Sequence, residues 1–253
     1  MKPTVQDIYR AIDRAAPFEL AVPGDNSGIL AGDPDQTVDT VLVALDAAIP
    51  VVREAKALGA QLIVTHHPIL FNPVRRILCG DPQTEVAYRI AQAGLSMIAV
   101  HTNLDRAEGG INDELALRLG WQASPAGEFL RVGEIPVSLS PAELIAHVRQ
   151  RVGGTPSWIG PEEAKVRRFA ICGGSGGSEV FNAHNAGAEV LITGELKHSD
   201  ALAACDLGLC IVAVGHGASE ICAVDLIRKH LQNASHALKW NLCVRESAWQ
   251  LLA

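Results

Sequence analysis

No apolar run in this chain of 253 residues approaches the ~18 residues of a membrane-spanning helix. The longest are short stretches such as LCIVAV at 209–214. The opening residues, MKPTVQDIYRAIDRAAP, lack the apolar segment of a secretory signal. They read instead as an amphipathic helix with Thr4 and Asp7 spaced as a capping box. Runs of basic residues are missing too. The net charge is −7, and Arg75-Arg76 is the nearest approach to a cluster. Binding duplex phosphates needs grouped Lys and Arg, which disfavours double-stranded nucleic acid as a partner. The cysteines at 79, 172, 205, 210, 222 and 243 contain no CxxC pair. In a chain with no signal they are expected to be reduced, in the cytoplasm. Cys172, Cys210 and Cys222 stand in apolar runs and read as core filler. Short-period repeats are absent as well.

What is present is a chain that is 48% hydrophobic and 19% charged, enough for a sizeable core. Its length suits one large domain or two smaller ones. Strand-like and helix-like stretches alternate. TVDTVLVALD (37–46), QLIVT (61–65) and LSMIAV (95–100) read as strands; residues 49–60, 81–94 and 109–120 read as helices, the last stopped by Gly120. Residues 121–139 show no long periodic element. A second set then begins with Ser140 as N-cap and Pro141 at the first helical position. It continues with strands at 165–172, 189–193 and 209–214, helices between them, and a long helix at 219–233. The tail 236–250 partly alternates and reads as an edge strand. This order predicts an α/β fold of two lobes, residues 1–125 and 126–253, with mainly parallel or mixed sheets covered by helices. The C-terminal tail has the option of packing back on the first lobe.

Three buried-type strands end in histidine. QLIVT runs into His66 and His67; LSMIAV into His101, with Asp105 four residues on; LCIVAV into Gly215-His216, with Glu220 four residues on. Open α/β sheets bind ligands beyond the carboxyl ends of their strands. Four imidazoles and two carboxylates suit a pair of divalent ions, Zn, Mn, Fe, Co or Ni rather than Ca or Mg. Six ligands shared by two ions leave positions for water, as catalysis requires. Alone, each histidine is better read as a turn, a cap or a hydrogen-bonded core residue. Three coincident strand ends with spaced acids favour ligands. His147, His184, His230 and His236 fall on helices or near the tail and read as structural.

The segments VTHHPILF, VAVHTNLDRAEGGIND and GHGASE, with DNSGIL, VLVALD, CGGSGGS and ITGELKHSDAL, resemble in order the signature segments of the GTP cyclohydrolase 1 type 2 family, also called the NIF-three-like family. The resemblance covers almost the whole chain. It implies two α/β lobes, a dinuclear metal site in the cleft between them, and a homohexameric ring. Its ligands fall on His66, His67, His101, Asp105, His216 and Glu220, the six that the strand ends had selected. The chain is too short for the inserted domain of longer members, and so matches the compact bacterial form.

Three further constellations carry two readings each. CGGSGGSE offers Gly174, Ser175 and Gly176 as an anion or substrate loop, or as a plain strand-to-helix turn. It is neither a clean GxGxxG nor a P-loop. TGELKHSD offers Glu195 and His198 as catalytic acid/base groups, or as partners orienting a ligand histidine. Its plain alternative is a helix start with Thr193 as N-cap. DNSGIL, with Asp25, Asn26 and Gly28, reads as a turn or a cleft lining, and Asp46 as a carboxylate behind a ligand. The resemblance implies a small-molecule substrate of nucleotide type. The expected activity is opening of the guanine imidazole ring of GTP with release of formate, giving 7,8-dihydroneopterin triphosphate. The same ligands would equally serve a phosphoesterase or an amide hydrolase. The non-enzymatic alternative is a metal-storing or metal-delivering ring, or an adaptor for another protein.

Overall fold

The computed structural model describes residues 1–250. The first stretch carries α1 (Val5–Ala15), β1 (Gly28–Ala31), β2 (Thr40–Ala44), α2 (Ile49–Ala57), β3 (Leu62–Thr65), α3 (Glu85–Gln92), β4 (Ser96–Ala99) and α4 (Thr102–Arg106). Next come α5 (Ile111–Leu119), β5 (Ala123–Pro125), β6 (Arg131–Leu139), α6 (Pro141–Arg151), β7 (Ser157–Ile159), β8 (Val166–Ser175) and α7 (Val180–Asn185). Then follow β9 (Val190–Glu195), α8 (His198–Asp206), β10 (Cys210–Ala213), α9 (His216–Glu220), α10 (Cys222–Ala237) and β11 (Cys243–Glu246). No helix among the described residues is long and apolar enough to cross a membrane.

The chain divides into two compact units: Met1–Ala107 with the described residues from Ala223 onward, and Glu108–Cys222. The division expected at 125/126 therefore falls earlier. Helix α5 belongs with the second sheet, because Ile111 and Leu115 pack on the backbone of β8 at Gly173. Residues 251–253 of the expected second lobe lie outside the described residues.

In the first unit a five-stranded sheet runs β1-β4-β3-β2-β11. β4, β3, β2 and β11 are parallel and β1 is antiparallel at the edge. β3 is buried along its whole length, which is why Leu62–Thr65 is an uninterrupted apolar and β-branched run rather than an alternating one. One face, with Leu42, Ile63 and Met97, packs against Val51, Val52 and Ala55 of α2 and Ile90 of α3. α1 opens as its sequence predicts: Thr4 accepts from the Asp7 N–H, and the Asp7 carboxylate accepts from the Thr4 N–H.

The second unit holds a six-stranded mixed sheet, β5-β6-β8-β9-β10-β7, whose centre (β8, β9, β10) is parallel. Ala170, Cys172, Leu191 and Ile211 of that centre pack against Val180 and Ala183 of α7 and Ala204 of α8.

Four local expectations change. Residues 121–139 contain β5 and the nine-residue β6, which pairs with β8. Gly133 and Pro136 interrupt its alternation, and Gly133 is needed because a Cβ there would sit 2.2 Å from the Gln122 carbonyl oxygen. GIL of DNSGIL opens the edge strand β1, so the segment is not only a turn. The glycine-rich segment makes its strand-to-helix turn later than its first glycines: β8 continues to Ser175, and a 3-10 turn over Gly176–Glu179 leads into α7. Thr193 is not an N-cap either. It lies inside β9, fully paired, and α8 begins at His198.

Candidate metal centre

The parallel strands of the first unit all present their carboxyl ends on the same side, and the backbone beyond β3 is pinned there. Thr65 Oγ1 donates to the His67 carbonyl at 2.7 Å, and the His67 N–H donates to the Leu45 carbonyl at 3.0 Å. This holds two consecutive imidazoles at the strand end. His66 is wholly buried, with Nδ1 2.8 Å from the Val100 carbonyl oxygen. A carbonyl only accepts, so Nδ1 carries the proton and Nε2 carries the lone pair. His67 Nδ1 lies 2.8 Å from Asp46 Oδ1, and His101 Nδ1 2.7 Å from Asp25 Oδ1. The same logic fixes both of those tautomers. Three histidines therefore aim Nε2 as their ligating atom, and their ligand atoms lie within 4.8 Å of one another.

Asp105 joins them. His101 is the N-cap of α4, and four residues later the helix brings the Asp105 carboxylate round to 3.8 Å from His66 Nε2.

Asp25 is the most built of the supporting carboxylates. Its side chain is almost fully buried and accepts from His101 Nδ1, the Thr102 N–H and hydroxyl, and the Ser27 hydroxyl. Burial pushes its pKa up, but the hydrogen bonds from His101, Thr102 and Ser27 outweigh that and hold the carboxyl far below its usual range. It stays an anion, as the partner of a ligating imidazole should.

In the second unit, α9 starts at His216 and carries Glu220 on the same face, with His216 Nε2 3.0 Å from Glu220 Oε2. His216 Nδ1 lies 3.0 Å from Glu195 Oε1, at the end of β9. Glycines let α9 come this close. A Cβ on Gly174 would stand 2.1 Å from Glu220 Oε1, and one on Gly194 would stand 2.6 Å from Ser219 Oγ. The Gly174 N–H donates to Ser219 Oγ and the Gly176 N–H to Thr193 Oγ1. Two of the three amides read as an anion cradle are thus engaged by side chains of the same unit. Close approach accounts for the glycines at 174 and 176.

The residues fit a divalent transition ion: imidazole nitrogens of fixed tautomer, carboxylates beside them, and an acceptor behind each ring. Of the groups singled out in the sequence, His66, His67, His101 and Asp105 converge in one unit, and His216 and Glu220 form a pair in the other. Asp46 stands behind His67 and Glu195 behind His216. His198 is exposed at the start of α8 and belongs to none of the metal-capable groups among the described residues. The role of Asp25 behind His101 is the one that sequence reading passed over. An acid in a polar turn signals only a turn, and 76 positions separate the two residues.

Residues 3–250 match the family described as Duf34/NIF3 (NGG1p interacting factor 3). The chain is 32% identical over 262 residues to a Streptomyces coelicolor protein named GTP cyclohydrolase 1 type 2 homolog, covering 97% of this chain and 91% of that one. A Clostridium acetobutylicum protein of the same name is 28% identical, covering 94% and 92%. In fold, the chain is similar to a Bacillus cereus protein related to NIF3, with a TM-score of 0.93 at 22% identity and 98% of each chain covered.

Proposed function

The chain belongs to the Duf34/NIF3 family, and on that premise we propose that it is a metal-dependent hydrolase of GTP cyclohydrolase type. The observation that carries the reading is the convergence of three imidazoles whose Nδ1 atoms are all engaged, leaving Nε2 as the common ligating face. The names of its relatives support the choice of substrate.

His66, His67, His101, Asp105, His216 and Glu220 would hold two divalent ions. When bound, such a pair supplies Lewis acidity and makes water a nucleophile at neutral pH. The chain's own residues do the rest. Asp25, Asp46, Glu195 and the Val100 carbonyl orient the imidazoles and raise their basicity as ligands. Glu195 is more than half exposed beside His216 and is the group suited to passing protons to solvent. His198, without a place in the cluster, is assigned no step. In the reaction, one water opens the guanine imidazole ring at C8 and a second releases formate. The ribose then rearranges and closes the new ring with loss of one water, so the net consumption is one.

The test is elemental analysis of the protein purified without chelator, followed by assay of formate release from GTP. The expected result is about two ions per chain, lost in His67→Ala, with turnover abolished in Asp105→Ala while the protein stays folded. Retained metal without turnover of GTP, phosphoesters or amides would replace the enzyme with a metal-storing or adaptor role. Protein that neither retains nor regains metal would overturn the hydrolase and the metal-storing role alike. The homohexameric ring belongs to the same proposal, and sedimentation equilibrium measures it.

A further inference from the structure

The turn that follows the two histidines is held in a conformation that its sequence disfavours. Leu70 has φ +53°, in the left-handed region, where a Cβ crowds the backbone. The side-chain amide of Asn26 fixes it there, donating to the carbonyls of both Ile69 and Leu70 at 3.0 Å. Ile69 is buried and Leu70 packs on the core of the first unit. The next residue, Phe71, nonetheless turns outward and is 57% exposed. Its ring stands edge-on to His101, with centroids 6.1 Å apart and planes at 88°. The backbone on one side of this ring is clamped, so its exposure follows from the built turn. It continues the set formed by His66, His67 and His101, whose centroids are 4.9–5.7 Å apart. A few residues on, Arg75 and Arg76 are exposed and form no ion pair among the described residues.

An outward aromatic ring beside metal-ligating imidazoles, followed by two unpaired guanidiniums, matches a planar base that carries phosphates. We propose that the segment from Phe71 to Arg76 recognises a purine nucleoside polyphosphate. Phe71 stacks on the base, and Arg75 and Arg76 take the phosphates. This rests on the hydrolase reading and names the contacts that would make its substrate a nucleotide.

The experiment is calorimetric titration of the purified, metal-containing protein with GTP, guanosine and inorganic tripolyphosphate. Phe71→Ala should weaken GTP and guanosine about tenfold, the size of one base–aromatic stack, and leave tripolyphosphate unchanged. Phe71→Tyr should restore GTP binding. The double variant Arg75→Ala/Arg76→Ala should weaken GTP and tripolyphosphate and spare guanosine. Metal content, measured in parallel, should not move in any of them. GTP binding that is absent in the parent, unchanged in Phe71→Ala, or lost together with tripolyphosphate overturns the inference. So does a Phe71→Ala chain that changes only its sedimentation, since the ring would then contact a second copy. Because these are binding measurements, the hydrolase reading stands or falls separately on formate release and metal content.

Discussion

Asp46 and His67 face each other across two adjacent parallel strands. Ala44 of β2 is in register with Thr65 of β3, so two residues further on the Asp46 carboxylate meets His67 Nδ1 at 2.8 Å. Strand register, rather than a local turn, sets this pair. It fixes which ring nitrogen carries the proton.

Removing that carboxylate should loosen the metal without disturbing the sheet. Asp46→Ala is expected to weaken metal affinity about ten- to hundredfold, read by competition with a chelating dye. Its circular dichroism should match the parent. An affinity equal to the parent's would show that His67 needs no partner.

Gly174→Ala should act on the other unit. Its Cβ would press on the Glu220 carboxylate at 2.1 Å, and the residue already has φ +62°. Less metal per chain and a lower Tm are expected together. Full metal content with a parental Tm would mean that Glu220 has room to retreat.

Ile63→Ala opens a cavity between β3 and helices α2 and α3, where Ile63 is fully buried. A loss of about 2–5 kcal/mol is expected from urea unfolding. A loss well under 1 kcal/mol would indicate that the helices collapse onto the gap.

Glu189 gives a pH-dependent contribution. Burial raises its pKa, but the backbone N–H groups of Arg168 and Arg167 and the Arg168 charge outweigh this and lower it. A depressed folded pKa stabilises the fold above the unfolded carboxylate value of about 4.3, and that stabilisation fades as pH falls through the folded value. Glu189→Gln should therefore unfold at lower urea than the parent at pH 7 and converge with it once the pH has fallen below the depressed folded value. A gap that persists in acid would point to packing instead of charge.

The strand ends were legible because buried parallel strands write themselves as continuous apolar runs. An abrupt change to histidine, as at Thr65–His66, then marks a carboxyl terminus. The i,i+4 acids at 105 and 220 were legible for the same reason: helical spacing is a local property. Strand β6 was not. Glycine and proline broke its period, and its existence depends on pairing with β8. The glycines of CGGSGG were noticed, but the close approach they permit was not legible, because a sequence shows that Cβ atoms are absent and not what stands in their place.

The sequence by itself determined the alternation of strands and helices and the positions where imidazoles and carboxylates emerge, since periodicity and apolar burial act over a few residues. Tertiary structure alone decided which acceptor stands behind each imidazole: Asp46 for His67, Asp25 for His101, Glu195 for His216 and the Val100 carbonyl for His66. Those partners are 21 to 76 positions away. A hydrogen bond at 2.7–3.0 Å is set by where the sheet places two strand ends, and no local pattern encodes that distance.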